Sequence, residues 1–242
     1  MYDPGVRLTG RGPLLVFVPG MDGTGELFYR QVPRLAPHYR VVTYTLREDA
    51  TMQDLVADLA AVIAGSSPHG RATVVGESFG GTVALSFALA HAEMLDRLVV
   101  LNSFPRFLPQ ARLHLAIAVL RALPFPWVVM GFVRRLTAFR LHSRHTHGRE
   151  IRRFLEVTAR TTRAGYLSRL RVLRDFDVRA RLGEIQAPTV FLASDRDHLV
   201  PAVQQARYMA DRVPNATLHV LRGHGHICLI APDLDLAELL AR

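Results

Sequence analysis

A Gly-x-Ser-x-Gly pentapeptide at residues 76–80 constrains the fold of this chain more than any other feature. The apolar run Ala72–Val75 before it is typical of a buried strand, and Phe79–His91 after it has the composition of a helix. A sharp strand-to-helix turn would hold Ser78 in a strained conformation with its Oγ exposed above a sheet. The two glycines leave room where the backbones of the strand and the helix crowd together. The pattern predicts a nucleophilic serine.

A nucleophilic serine needs a base that removes its proton and an acid that orients the base. Two later segments, Thr189–Ala193 and Thr217–Leu221, read as strands. The first runs into a polar turn with two aspartates, and the second runs into a Gly/His turn with two histidines. Side chains from distant segments converge at the C-terminal ends of strands in an open parallel sheet. We therefore expect one aspartate and one histidine to join Ser78.

An earlier strand candidate, Leu14–Val18, is followed by the glycine-rich turn Gly20–Gly25. Such a turn can direct backbone N–H groups at a developing oxyanion. We expect one donor to be the N–H of Met21. The other would be the N–H of Phe79, directly after the nucleophile.

These elements together resemble the α/β-hydrolase superfamily, from about residue 12 to the C-terminus. In that family the acid commonly lies in a Gly-x-x-Asp-x-x-Val-Pro turn, which residues 194–201 match with Ser194 in place of the glycine. The resemblance implies that Asp197, and not Asp195, is the acid. It also implies His226 as the base, because a Gly-His pair, four apolar residues and then Asp235 match the family's tail. The apolar run would also hold His226 in a fixed orientation.

A narrower likeness rests on short motifs, among them the same tail after Gly225 and His226. Pro-Gly-Met-Asp-Gly-Thr-Gly at residues 19–25 and Gly-Glu-Ser-Phe-Gly-Gly at residues 76–81 are similar to the phytyl ester synthase/diacylglycerol acyltransferase branch. This likeness implies lipophilic esters as substrates, or transfer of an acyl group.

Alternation of strand and helix patterns predicts an α/β protein with a mostly parallel sheet of about six to seven strands and helices on both faces. The alternation breaks after Leu101, where helical patterns follow at Gln110–Leu123, Trp127–Leu141 and Arg149–Thr162. This segment resembles the lid that α/β-hydrolases insert before the acid. We therefore expect a core formed by residues 1–103 and 176–242, with residues 104–175 as an inserted helical lid.

The basic residues of the chain are unusual in kind and in distribution. All 30 are arginine, and 17 of them lie between Phe104 and Leu182 with only four carboxylates. That segment carries a formal charge of +13, whereas the whole chain carries +9. A positive insert could attract anionic substrates or make peripheral contact with an anionic membrane surface. A solvated helical face is the simpler interpretation.

Several classes of protein are disfavoured by the sequence. A single cysteine, Cys228, excludes an intramolecular disulfide, and no apolar stretch reaches the length of a membrane span. With no signal-peptide pattern at residues 1–7, these features predict a cytoplasmic protein. Gly20–Gly25 lacks the dinucleotide pattern, and the insert lacks the interleaved aromatic residues of single-strand binders. The loop histidines at 142, 145 and 147 lack further metal ligands at suitable spacing, so we expect no metal, cofactor or nucleic acid.

The resulting hypothesis is a serine hydrolase that cleaves carboxylic esters, with lipophilic acyl esters as its small-molecule substrates. Acyl transfer to a lipid alcohol, or cleavage of an amide or carbon–carbon bond, could use the same Ser-His-Asp triad. A non-catalytic ligand-binding homologue is an alternative of another class. The sequence does not determine the acyl length, the alcohol part or the oligomeric state.

Overall fold

The computed structural model describes residues 4–122 and 141–241. Within these residues, seven strands form one sheet in the order β1-β3-β2-β4-β5-β6-β7, and only the edge pair β1–β3 is antiparallel. This architecture confirms the predicted α/β fold class with a mostly parallel sheet. The strands are β1 (Arg7–Thr9), β2 (Leu14–Val18), β3 (Arg40–Thr43), β4 (Ala72–Glu77), β5 (Leu95–Leu101), β6 (Thr189–Ser194) and β7 (Ala216–Leu221).

Helices cover both faces of this sheet. The sequence of β2 is apolar throughout because its alternate side chains enter two separate clusters of buried residues, one on each face of the sheet. One cluster includes Val16 with α2 (Met52–Ser66), α3 (Phe79–Ala90) and α7 (Ala202–Ala210). The other includes Phe17 with α1 (Gln31–Leu35) and α8 (Leu236–Leu240). The neighbouring strands β2, β4 and β5 are therefore packed on both faces of the sheet.

The segment between β5 and β6, residues 104–175, is called the insert below. Its described part forms three helices, α4 (Gln110–Ala122), α5 (Gly148–Thr158) and α6 (Arg163–Asp175). The predicted helix Trp127–Leu141 lies, apart from Leu141, outside the described residues. That the insert acts as a lid remains a prediction.

The third helix of the insert was not predicted, and the preceding one ends earlier than its pattern indicated. The chain leaves α5 after Thr158, and Thr162 caps α6 by accepting a hydrogen bond from Gly165 N–H at 3.0 Å. Arginines interrupt the apolar spacing of α6, and one of them, Arg169, is buried. None of the described helices is long and apolar enough to cross a membrane.

Candidate active site

Ser78 lies in the turn between β4 and α3. Its φ of +54° and ψ of −116° are rare for a residue with a side chain, as the strained turn predicts. A Cβ on Gly76 would lie 2.4 Å from Gly80 O, and a Cβ on Gly80 would lie 2.1 Å from Val18 O. Only glycine fits at both positions, so the pentapeptide fixes how closely the turn packs on α3 and on the end of β2.

Ser78, His226 and Asp197 meet at the C-terminal edge of the sheet. His226 Nε2 lies 2.9 Å from Ser78 Oγ, and His226 Nδ1 lies 2.6 Å from Asp197 Oδ2. The side chain of Asp197 is fully buried and that of His226 is 8% exposed. Three segments that are distant in sequence thus form one chain of hydrogen bonds with the geometry of a Ser-His-Asp triad.

The two aspartates of the turn after β6 have different partners. Asp197 Oδ1 accepts hydrogen bonds from the N–H groups of Leu199 (2.9 Å) and Val200 (3.0 Å), which leaves Oδ2 for the histidine. Asp195 instead accepts a hydrogen bond from Gly223 N–H at 2.7 Å. Asp195 therefore supports the backbone of the loop that carries His226 and does not contact the imidazole.

Two opposing effects set the pKa of His226. Burial lowers this pKa because it disfavours the charged imidazolium. The charge of Asp197 and its hydrogen bond are the main effects that raise it, and the net pKa lies above its ordinary value. The site is therefore arranged to stabilise a protonated histidine, as a base needs after it has taken a proton.

The glycine-rich turn after β2 lies beside Ser78. A Cβ on Gly20 would be 3.5 Å from Glu77 O, the carbonyl directly before the serine. Asp22 Oδ2 accepts a hydrogen bond from Thr24 N–H at 2.9 Å, two residues on, which stabilises this turn locally. The N–H of Phe79 is the first of α3, a position at which helical N–H groups have no acceptor within the helix.

The insert contacts this turn through two donors that the sequence did not reveal. Arg169, which is 4% exposed, donates from Nε to Met21 O at 3.0 Å. Thr161 Oγ1 donates to Asp22 O at 3.0 Å. Both bonds fix the carbonyls of the turn on the side of the insert. A buried arginine inside a polar helix is visible only in the folded structure.

Asn102 is a further residue that sequence analysis missed. It follows β5 with φ of +47°, which asparagine tolerates better than most residues. Its Nδ2 donates to Ser194 Oγ and to His226 O, both at 2.9 Å, while its Oδ1 accepts from Ser194 N–H at 2.8 Å. Ser194, the departure from the family's glycine, thus serves as a partner for Asn102. The sequence did contain one indication of this role, because a polar asparagine directly follows a predicted parallel strand.

Glu77, the residue before the serine, is 8% exposed at the end of β4. Burial raises the pKa of Glu77 to about 8, and the carboxylates of Asp22 and Asp197 act in the same direction against the lowering effect of His226. Glu77 therefore carries a proton at neutral pH. In that state it adds no negative charge beneath the histidine.

Replacing this acid tests its protonation. The protonated carboxyl of Glu77 makes its full contribution to folding stability below about pH 4.5, the pKa of this group in the unfolded chain. That contribution is lost progressively as the pH rises from there to about 8, the pKa in the folded protein. Glu77→Gln cannot ionise, so the melting temperature of the wild type should fall relative to that of the variant between pH 5 and 8. The expected slope is up to about 1.4 kcal/mol, or roughly 3–5 °C, per pH unit. Melting curves that stay parallel from pH 5 to 8 would contradict this prediction.

No group of three or more metal-ligating side chains is found within residues 4–122 and 141–241. Two of the histidines that cluster in sequence have other partners there. His145 pairs with Asp233, and His142 forms an isolated bridge with Ile227. Cys228 is buried, and burial raises the pKa of its thiol, so it does not act as a thiolate nucleophile.

The comparison with family models gives a match over residues 15–239 to the alpha/beta hydrolase family. The chain belongs to this family. A relative from Agrobacterium fabrum, named as carbamate hydrolase RutD, is 26% identical over 97% of this chain and 94% of its own length. The pimeloyl-[acyl-carrier protein] methyl ester esterase of Xanthomonas campestris is 29% identical over 98% of this chain and 97% of its own.

Solved structures show the same fold. A thermophilic esterase from Thermogutta terrifontis superposes with a TM-score of 0.82 at 21% identity, over 98% of this chain and 89% of its own. This likeness shows the α/β-hydrolase fold, and the family match together with the sequence relatives supports a hydrolase. The relatives do not support the narrower likeness to the phytyl ester synthase/diacylglycerol acyltransferase branch.

Proposed function

We propose that this hydrolase cleaves carboxylic esters through an acyl-enzyme on Ser78. The observation that carries the proposal is the position of His226, which contacts the serine through Nε2 and Asp197 through Nδ1. Nε2 is within the distance at which a base removes a proton. Asp197 holds the ring in the tautomer whose Nε2 is free to accept that proton.

The first half of the reaction forms a bond between Ser78 Oγ and the acyl carbon. His226 takes the serine proton as Oγ attacks, and the carbonyl oxygen of the substrate becomes an oxyanion. The imidazolium is stabilised by Asp197, in agreement with the raised pKa of His226. His226 then returns its proton to the departing alcohol as the tetrahedral intermediate collapses.

We assign the oxyanion donors to the N–H groups of Met21 and Phe79. Support comes from the close packing of the Gly20 turn on the serine turn and from the position of Phe79 at the start of α3. Fixed donors of this kind need no reorganisation as charge develops on the oxygen. In the second half, His226 activates water, which attacks the acyl carbon and releases the acid.

A lipophilic acyl group is favoured by apolar side chains of the insert beside the site. Leu141 and Phe154 pack with Ile227, the neighbour of His226. Phe104 and Phe107 follow β5 at the start of the insert and stack edge to face, with ring centroids 5.2 Å apart. Apolar walls with a few convergent polar groups are typical of pockets for small organic ligands.

Carbamate cleavage is a second candidate, favoured by the relatives named as carbamate hydrolases. Chemically it needs little change, because the carbonyl of a carbamate is attacked in the same way. The nitrogen substituent is the difference. It must be accommodated by the acyl pocket, and an apolar pocket offers it no hydrogen-bond partner.

A comparison of p-nitrophenyl substrates tests the proposal. We expect kcat/KM to be higher for octanoyl than for acetyl esters, since a methylene in an apolar pocket contributes about 0.8 kcal/mol. Matched N-alkyl carbamates should be cleaved more slowly than esters of equal length. Higher kcat/KM for acetyl than for octanoyl esters would contradict the lipophilic pocket, and faster turnover of the carbamates would favour the second candidate.

A further inference from the structure

The loop that carries His226 is held by the insert at the residues on either side of the histidine. Ile227 N–H donates to Leu141 O at 2.8 Å, and Gly225 N–H donates to Ser143 Oγ at 3.3 Å. Between these two bonds, the carbonyl of His226 is bound by an asparagine of the core. The main chain is thus fixed at three consecutive residues, and the insert provides two of the three bonds.

This contact is close enough to depend on a glycine. A Cβ on Gly225 would lie 2.5 Å from Leu141 O and 2.6 Å from His142 O. The nearby Gly223 has φ of +77°, so the loop approaches His226 through two residues with little intrinsic conformational preference. Such a segment needs contacts from outside itself to keep one conformation.

The hydroxyl of Ser143 connects the insert to this loop. Ser143 is 1% exposed, and its Oγ lies 3.0 Å from His224 Nδ1. Because Oγ already accepts a hydrogen bond from Gly225 N–H, its own proton is available to His224 Nδ1. His224 then carries its proton on Nε2, which faces Asp233 at 3.9 Å.

The neighbouring groups are consistent with this arrangement. Burial lowers the pKa of His224, which keeps its ring neutral near pH 7 against the raising effect of Asp233. Asp233 also pairs with His145, which lies in the same part of the insert as Ser143. A buried hydroxyl that satisfies two groups at once is costly to remove.

We propose that Ser143 is a positioning residue that sets the orientation of the His226 imidazole. The inference rests on the proposed function, since it assigns to the insert a second task beside bordering the substrate pocket. Transfer of a proton requires Nε2 to stay within about 3 Å of Ser78 Oγ, and misplacement of a reacting group by about 1 Å can cost 100-fold in rate.

Ser143→Ala tests this role. We expect kcat on an ester, and the rate of Ser78 labelling by a fluorophosphonate, to fall about tenfold or more with KM unchanged. The labelling end point counts the folded, competent sites, so the rate can be expressed per labelled site. A defect that only unfolds part of the protein would lower the end point and leave the rate per site unchanged.

Ser168→Ala is the matched control. Ser168 is also a buried serine of the insert, and its Oγ both donates to Ala50 O and accepts from Ala50 N–H, at 3.1 Å each. Its removal deletes the same number of hydrogen bonds at a distance from the histidine loop. We expect it to lower stability and to leave the rate per labelled site at the wild-type value.

A readout that does not depend on turnover separates this inference from the proposed function. The proton between His226 Nδ1 and Asp197 should give a far-downfield resonance in the proton NMR spectrum. It should broaden in Ser143→Ala and persist in Ser168→Ala.

A wild type that neither labels nor turns over esters would refute the proposed function alone, while the resonance still tests positioning. Ser143→Ala with an unchanged resonance, or with the wild-type rate per labelled site, would overturn the inference.

Discussion

Ser78→Ala is expected to lower ester turnover by roughly 10⁴-fold or more while the protein stays folded. The serine Oγ is the proposed nucleophile, and its removal deletes the atom that lies 2.9 Å from His226 Nε2. Little packing is lost, because this side chain stands in the turn between β4 and α3. Turnover of a p-nitrophenyl ester, with circular dichroism to check folding, measures both effects. A purified variant with more than about a tenth of wild-type activity would refute the assignment.

Ser78→Gly supplies the structural control for this experiment. It should be as inactive as the alanine variant but more stable than it, by about 1 kcal/mol, because glycine adopts φ of +54° without strain. Comparing the two variants separates the effect of losing the nucleophile on activity from the effect of relieving backbone strain on stability. Equal melting temperatures for the two variants would show that the turn stores no strain.

Asp197→Asn is expected to lower kcat by roughly 10⁴-fold, because an amide facing Nδ1 favours the wrong histidine tautomer. The carboxylate accepts hydrogen bonds from two backbone N–H groups, and asparagine Oδ1 can keep these, so the turn should stay in place. Steady-state kinetics at pH values above the pKa of His226 would measure the loss.

Asp195→Asn is the matched control, two residues away in the same turn. Asp195 contacts Gly223 N–H and not the imidazole, and asparagine can still accept that hydrogen bond. We expect less than about a tenfold loss in kcat. If Asp195→Asn proved more damaging than Asp197→Asn, the assignment of the acid would be reversed.

Much of the geometry of the candidate site could be predicted because it depends on short local sequence patterns. The serine turn needs glycines two residues before and after Ser78, and the contacts of Gly76 and Gly80 show why. Asp197 and His226 each follow a strand whose apolar sequence is readable. Parallel strands deliver their C-terminal ends to one edge, so residues far apart in sequence meet there.

Residue type does not distinguish the candidate acid or the candidate base from its neighbour in the same turn. The family patterns and the contacts in the fold distinguish them. Asp195 and Asp197 are chemically identical, as are His224 and His226. Their different partners depend on which way each side chain leaves its turn. That direction follows from backbone torsions that the tertiary contacts of the loops impose.

The sequence by itself determined the parallel sheet, the helices on both faces and the sharp turn at Ser78, because each depends on local periodicity or on the steric needs of glycine. Only the tertiary structure decided the roles of Asn102, Ser143 and Arg169. Each is a polar residue whose role depends on hydrogen bonds to partners more than 80 positions away in the sequence. The physical reason is that a hydrogen bond depends on the spatial approach of two groups, and for distant residues the folded chain alone sets that approach.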